Sequence, residues 1–147
     1  MLASIRDELS RLAPEQAELF QRRYAAYAAE VQALDAELRT LLAPLQGRAF
    51  LVFHPAWGYF AASYGLQQVP IEHEGKAPGA RALAALIAQA RAEGIRVVFV
   101  QPQFDRRQAQ QVAQAIGGVV IAVDPLAPDY VANLRRVAQQ MAQALQP

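Results

Sequence analysis

RVVFVQPQFDRRQAQQVAQAIGGVVIAVDP, residues 96–125, decides the architecture. It holds two continuous apolar runs, RVVFV (96–100) and VVIAV (119–123), with a helical pattern, DRRQAQQVAQAIG (105–117), between them. Gly117-Gly118 joins that helix to the second strand. A strand that is apolar at every position, rather than at alternate ones, is buried on both faces. That points to a mostly parallel sheet with helices on each side.

Working outward, the alternation recurs. AFLVF (49–53) is another continuous apolar run, followed by the helix-like PAWGYFAASYG (55–65) and a weaker strand, QQVPI (67–71). Pro78 and Gly79 lead into a helix through Ala92 that Glu93-Gly94 ends, and a last helix runs from about Asp129 to Leu145. The fold class is α/β: a four-stranded, mostly parallel sheet flanked by helices.

Ahead of the sheet, residues 15–43 carry one uninterrupted helical pattern. Phe20, Tyr24, Tyr27, Val31, Leu34, Leu38 and Leu41 follow a 4-3-4-3 spacing, a three-heptad seam. Such a helix is about 40 Å long, more than a domain of this size needs. It reads either as a core-facing helix or as a spine whose seam needs a partner. Leu2, Ile5, Leu9 and Leu12 give a short amphipathic helix before it, and Pro14 both closes the first and opens the second.

The chain has 147 residues, 54% of them hydrophobic, although 31 of those are alanine. That suffices for one core and excludes a disordered protein. Fourteen Lys+Arg against 13 Asp+Glu leave no field to hold nucleic acid or anionic lipid. The absence of cysteine removes disulfides, thiolate metal sites and cysteine nucleophiles. Arg6, Asp7, Glu8 and Arg11 break the N-terminus too early for a secretory signal, and no apolar run reaches the roughly 20 residues of a membrane span.

In open parallel sheets, ligands gather beyond the carboxyl ends of the strands. The polar residues at those ends are His54, then Glu72-His73-Glu74, then Gln101 and Gln103, then Asp124. An imidazole and a carboxylate meeting at one edge suit Zn²⁺, or Mn²⁺ with more oxygen. Each has a plainer reading. His54-Pro55 and Asp124-Pro125 both look like a helix cap followed by proline. His73 reads as a solvated loop residue, and the two glutamines as a loop-shaping hydrogen-bond pair or, alternatively, as groups that support a site from behind its ligands. No Gly-rich phosphate loop and no G-x-S-x-G elbow is present, and Asp124 lacks the acidic neighbours of a phosphoacceptor.

The stretches FLVFHPAWGYFAASYGL, IEHEGKAPGARALAALIAQAR, VVFVQPQF and VVIAVDPLAPDYVANL, in order over about residues 14–145, resemble the zinc/manganese substrate-binding proteins of bacterial metal ABC transporters. The likeness is to their C-terminal lobe. It implies a fold of two α/β lobes joined by a long rigid helix, with the metal held between them. On that reading residues 1–13 are a remnant of, or link to, a missing N-terminal lobe, residues 14–43 are the connecting helix, and residues 44–147 are the C-terminal metal-binding lobe. The family's ligands in this lobe fall on His54 and Asp124, an imidazole nitrogen and carboxylate oxygens. Histidine where manganese-selective members often carry glutamate leans toward Zn²⁺.

The resemblance further implies metal capture without catalysis, delivery to a membrane permease, and a periplasmic or extracytoplasmic location. The chain departs from the pattern in carrying no N-terminal lobe, no export signal, and Ala13-Pro14-Glu15 in place of an aspartate cap. His73 has no role in it. Because His54 must be neutral to coordinate, affinity is expected to fall as pH drops through roughly 6–7. The alternative is a free-standing lobe that dimerises through the long helix and completes a four-ligand site across the two-fold axis. A small enzyme with His54 as general base is a third reading, for which the sequence offers no nucleophile.

Overall fold

The computed structural model describes residues 1–72, 75–104 and 106–146. It divides into two compact units, Met1–Leu38 and Arg39–Pro147. The first holds α1 (Leu2–Leu12), a 3-10 turn (Pro14–Gln16) and most of α2 (Ala17–Leu42). Pro14 opens the turn, so the long helix starts slightly later than the sequence pattern suggests. Within this unit the Arg6 guanidinium lies 4.4 Å from the centroid of the Tyr24 ring, a cation–π contact. The apolar stripe of α1 (Ile5, Leu9 and Leu12) is exposed.

The second unit carries the sheet. Its elements are β1 (Ala49–Val52), α3 (Gly58–Ser63), β2 (Gln67–Pro70), α4 (Ala80–Ala92), β3 (Val97–Val100), α5 (Arg106–Ile116), β4 (Val119–Ala122) and α6 (Tyr130–Ala144). All three pairings are parallel, in the order β2-β1-β3-β4. β1, β2 and β4 end one residue short of their apolar runs, but backbone pairing continues past them: Phe53 N–H donates to Phe99 O (2.9 Å), Ile71 N–H to Val52 O (2.8 Å) and Val123 N–H to Val100 O (2.9 Å).

Burial follows position in the sheet. Central β3 is buried at all four residues, while β2 and β4 are edges with exposed positions. Pro70 is tolerated because β2 is an edge. The period-two pleat sends Leu51, Val98 and Val100 to one face, where they cluster with Ala90 of α4 and with Ala109, Val112, Ala113 and Ile116 of α5. Phe50 and Phe99 meet edge-on, 5.3 Å between centroids. The sequence's continuous apolar strands thus become a sheet buried on both sides.

The parallel strand order sets the geometry of the sheet's carboxyl edge. The chain steps from β1 to β2 on one side, then returns to build β3 and β4 on the other. The strand order therefore reverses between β1 and β3. In open α/β sheets that reversal opens a crevice beyond the carboxyl ends of the strands.

The turn from α5 into β4 allows a test of packing against backbone freedom. Gly117 takes φ +66 with open space around it, and Gly118 N–H returns to Ala113 O at 2.7 Å. A Cβ on Gly118 would sit 2.2 Å from the carbonyl oxygen of Arg96, which already accepts from Val119 N–H. That backbone is pinned in the β3–β4 ladder and cannot withdraw. Gly118→Ala should therefore cost about 3 kcal/mol or more through overpacking. Gly117→Ala should cost only about 1–2 kcal/mol, for the left-handed conformation alone. Urea unfolding of the two variants checks the order.

Candidate metal site

The register places the two candidate ligands, His54 and Asp124, at one edge. Val52 pairs with Phe99 and Val100 with Ala122, so His54 lies level with Gln101, and Asp124 one residue beyond Val123 on the far side of β3. One strand separates them. Two strand spacings put their backbones about 10 Å apart, close enough for an imidazole and a carboxylate to reach a common ion. The pair flanks the crevice where the strand order reverses.

Neither residue caps a helix. The N-cap of α3 is Trp57, and that of α6 is Asp129, whose Oδ1 accepts from Ala132 N–H at 3.0 Å. The cap-before-proline reading of His54 and Asp124 is thereby corrected. Several loop residues separate each from its helix, which leaves both side chains at the strand edge.

His54 is held on three sides. Its side chain is 42% exposed, while that of Glu72, whose carboxylate meets its Nδ1, is 6% exposed. Glu72 is brought there by strand pairing, its N–H donating to Phe53 O at 3.1 Å. The Phe104 ring stacks on the imidazole, 5.0 Å between centroids and 20° between planes. The buried Gln101 amide donates to the His54 carbonyl at 2.8 Å, and its own Oε1 is without a partner among the described residues.

Asp124 is held by different groups of the same kind. Its Oδ1 accepts from Gln103 Nε2 at 3.0 Å and from Leu126 N–H at 2.9 Å, an Asx turn over Pro125. Buried Asn133 of α6 donates to the Asp124 carbonyl at 2.7 Å, and Arg136 donates to Asn133 Oδ1 at 2.6 Å. The Gln103 amide, then the Leu126 N–H, hold the Asp124 carboxyl below its usual range, with a smaller contribution from the Arg136 charge. It is ionised at neutral pH.

The arrangement offers one imidazole nitrogen and one carboxylate. No group of three or more His, Asp or Glu side chains able to hold a metal occurs among the described residues. A groove of about 400 Å³ lies at the opposite end of the strands, between Arg48, Arg96 and the end of α6, away from both ligands. His73 and Glu74 lie outside the described residues.

The family model for zinc-uptake complex component A, periplasmic, matches residues 1–144. The chain belongs to this family. It is 37% identical over 130 residues to the high-affinity zinc uptake system protein ZnuA of Paracoccus denitrificans, covering 84% of this chain and 39% of that protein. It is 29% identical over 128 residues to the zinc-binding protein AdcA of Streptococcus pyogenes, covering 86% of this chain and 25% of that one. A crystal structure of ZnuA superposes with a TM-score of 0.94 at 41% identity, over 98% of this chain and 56% of that chain. A ZnuA deletion mutant with zinc bound superposes with a TM-score of 0.92, also at 41% identity, over 99% of this chain and 56% of that one. The chain thus spans a quarter to two-fifths of those curated relatives, and just over half of the solved chains. The α/β fold and the family membership expected from the sequence both hold.

Three contacts of the site were not assigned from the sequence. Glu72 stood only as one of several polar residues after a strand, and its approach to His54 depends on the β1–β2 register. Phe104, inside the quoted VVFVQPQF, carried no role, although an aromatic beside two glutamines in a strand-end loop was a usable signal. Asn133 offered none, being an interior residue of an amphipathic helix. Of the two readings of Gln101 and Gln103, their hydrogen bonds to the His54 carbonyl and the Asp124 carboxylate favour support of the site over loop-shaping alone.

Because its ionised form is favoured in the folded chain, Asp124 contributes stability that is complete above the ordinary aspartate pKa of about 3.9 and is lost as pH falls through its lowered folded value. Gln103→Ala removes the largest cause of the shift. It should raise the Asp124 titration toward the ordinary range, read from the side-chain carboxyl ¹³C shift.

Proposed function

We propose that this chain supplies half of a reversible binding site for a divalent transition metal, Zn²⁺ in preference to Mn²⁺, with His54 and Asp124 as its ligands. Residues 44–147 are then the metal-binding lobe, residues 14–43 the connecting helix, and residues 1–13 the link to a further lobe. The observation that carries this is the pairing of an imidazole whose Nδ1 is already engaged with an ionised carboxylate across one strand, at the point where the strand order reverses. Nε2 of His54 is the ring nitrogen left for a metal. Oδ2 of Asp124 carries neither of the two hydrogen bonds that hold the carboxylate, and it is the oxygen best placed for a cation.

One nitrogen and one carboxylate suit zinc, whose sites commonly take four ligands. The relatives are roughly two to four times the length of this chain, and the remaining ligands are assigned to the additional lobe. The names of the relatives support zinc uptake as the process, with capture outside the cytoplasm and delivery to the membrane permease of an ABC transporter. Binding and release require no bond-making step, so no side chain is assigned a catalytic role.

Calorimetric titration of the chain with Zn²⁺, beside His54→Ala and Asp124→Ala, tests the assignment. Each substitution should weaken binding at least tenfold, and both together should abolish it. Unchanged affinity in both variants would overturn the ligand assignment. A plateau at one Zn²⁺ per two chains would point instead to a site completed across a dimer.

A further inference from the structure

A half-exposed imidazole has two tautomers and a ring free to turn, and only a bare, correctly aimed nitrogen binds a metal. At His54 the ring plane is set by the Phe104 stack and the backbone by the Gln101 amide. Neither contact chooses the tautomer. Glu72 is different. Its carboxylate is almost wholly buried and, among the described residues, meets Nδ1 of His54. An ionised carboxylate can only accept, so Nδ1 must carry the proton and Nε2 must present its lone pair.

We infer that Glu72 is a positioning residue for metal binding, one that locks His54 in the Nδ1–H tautomer and aims its Nε2 into the crevice. The inference rests on the zinc reading above. A carboxylate behind a ligating histidine is a recurrent arrangement, and its loss typically weakens metal binding 10- to 100-fold. Here the distance in sequence between partners, 54 and 72, is bridged by the β1–β2 ladder, which places Glu72 N–H on Phe53 O. The side chain is thereby brought to Nδ1, and Nε2 is the nitrogen this contact does not use.

The burial of Glu72 separates this role from a structural one. A carboxylate taken out of water with an imidazole for company is costly to the folded state. Glu72→Gln keeps the size, relieves that burial and abolishes the obligatory acceptor, because an amide can also donate to Nδ1. A residue kept for stability would be missed on unfolding; one kept for the metal would not.

The test is ring ¹⁵N NMR of His54 in the chelator-treated chain at pH 8, above the ordinary histidine range. The chain has two histidines, so His73→Asn assigns the signals. The expected wild-type spectrum shows a protonated Nδ1 and a bare Nε2, with added Zn²⁺ shifting Nε2 while Nδ1 keeps its proton. Glu72→Gln should mix or invert the tautomers and weaken Zn²⁺ binding 10- to 100-fold, with a melting temperature equal to or above that of the wild type. A wild-type ring protonated at Nε2, or a Glu72→Gln chain with unchanged tautomer and zinc affinity, overturns the inference and leaves the ligand assignment standing. The expected tautomer together with a His54→Ala chain that binds zinc normally would instead bring down the ligand assignment, and the inference with it.

Discussion

Burial of β1 and β3 on both faces is the constraint on which everything else depends. Phe50, Leu51, Val52 and the four residues of β3 exclude water from both sides of the sheet centre. Strands buried in this way need helices above and below, and parallel pairing with helical crossovers supplies them. Parallel pairing in turn gathers every strand's carboxyl end at one edge. The position of His54 and Asp124 is thus a consequence of hydrophobic burial several residues away from either, and a polar residue in the middle of β3 would disturb the site by disturbing the sheet.

The sequence made the fold legible because its strongest signals are local. Continuous apolar runs, a glycine pair after a helix and proline at helix starts each report on a few neighbouring residues, and the α-helices and β-strands of the described residues lie close to the limits the sequence suggests. The candidate ligands were picked out in the same local way, as the polar residue following a run. What the sequence did not disclose is whatever rests on register. That Glu72 lies against His54 follows from Ala49 pairing with Gln67 rather than with a neighbour one residue on, which would have turned the side chain to the other face. The capping interpretation failed for a related reason. His54 and Asp124 have the residue types and following proline of a cap, but Trp57 and Asp129 take those positions because the loops run on before the helices begin.

A single short loop governs both halves of the site. QPQF (101–104) leaves β3, the strand between the two ligands, and three of its side chains turn to them: Gln101 to the His54 carbonyl, Gln103 to the Asp124 carboxylate and Phe104 to the imidazole face. Each contact is individually modest, about 1 kcal/mol for a typical hydrogen bond. Their value lies in common origin. Because one strand end carries all three, His54 and Asp124 are referenced to the same backbone.

That shared reference is what the proposed metal-carrying role would ask of two ligands. A site for capture and release must bind firmly enough to take the ion from dilute solution and loosely enough to surrender it. A fully enclosed set of four ligands on one rigid lobe would satisfy the first need at the expense of the second. Two ligands on an open edge, each fixed in orientation beforehand, lose little entropy when the ion arrives. They also cannot complete its coordination shell. In the proposed function the remaining ligands come from a further lobe, so affinity would depend on how that second contribution is positioned, and its movement alone would weaken the site. In that proposal, preorganisation on this edge and incompleteness of its donor set are complementary: the first would make encounter productive, the second would keep binding reversible.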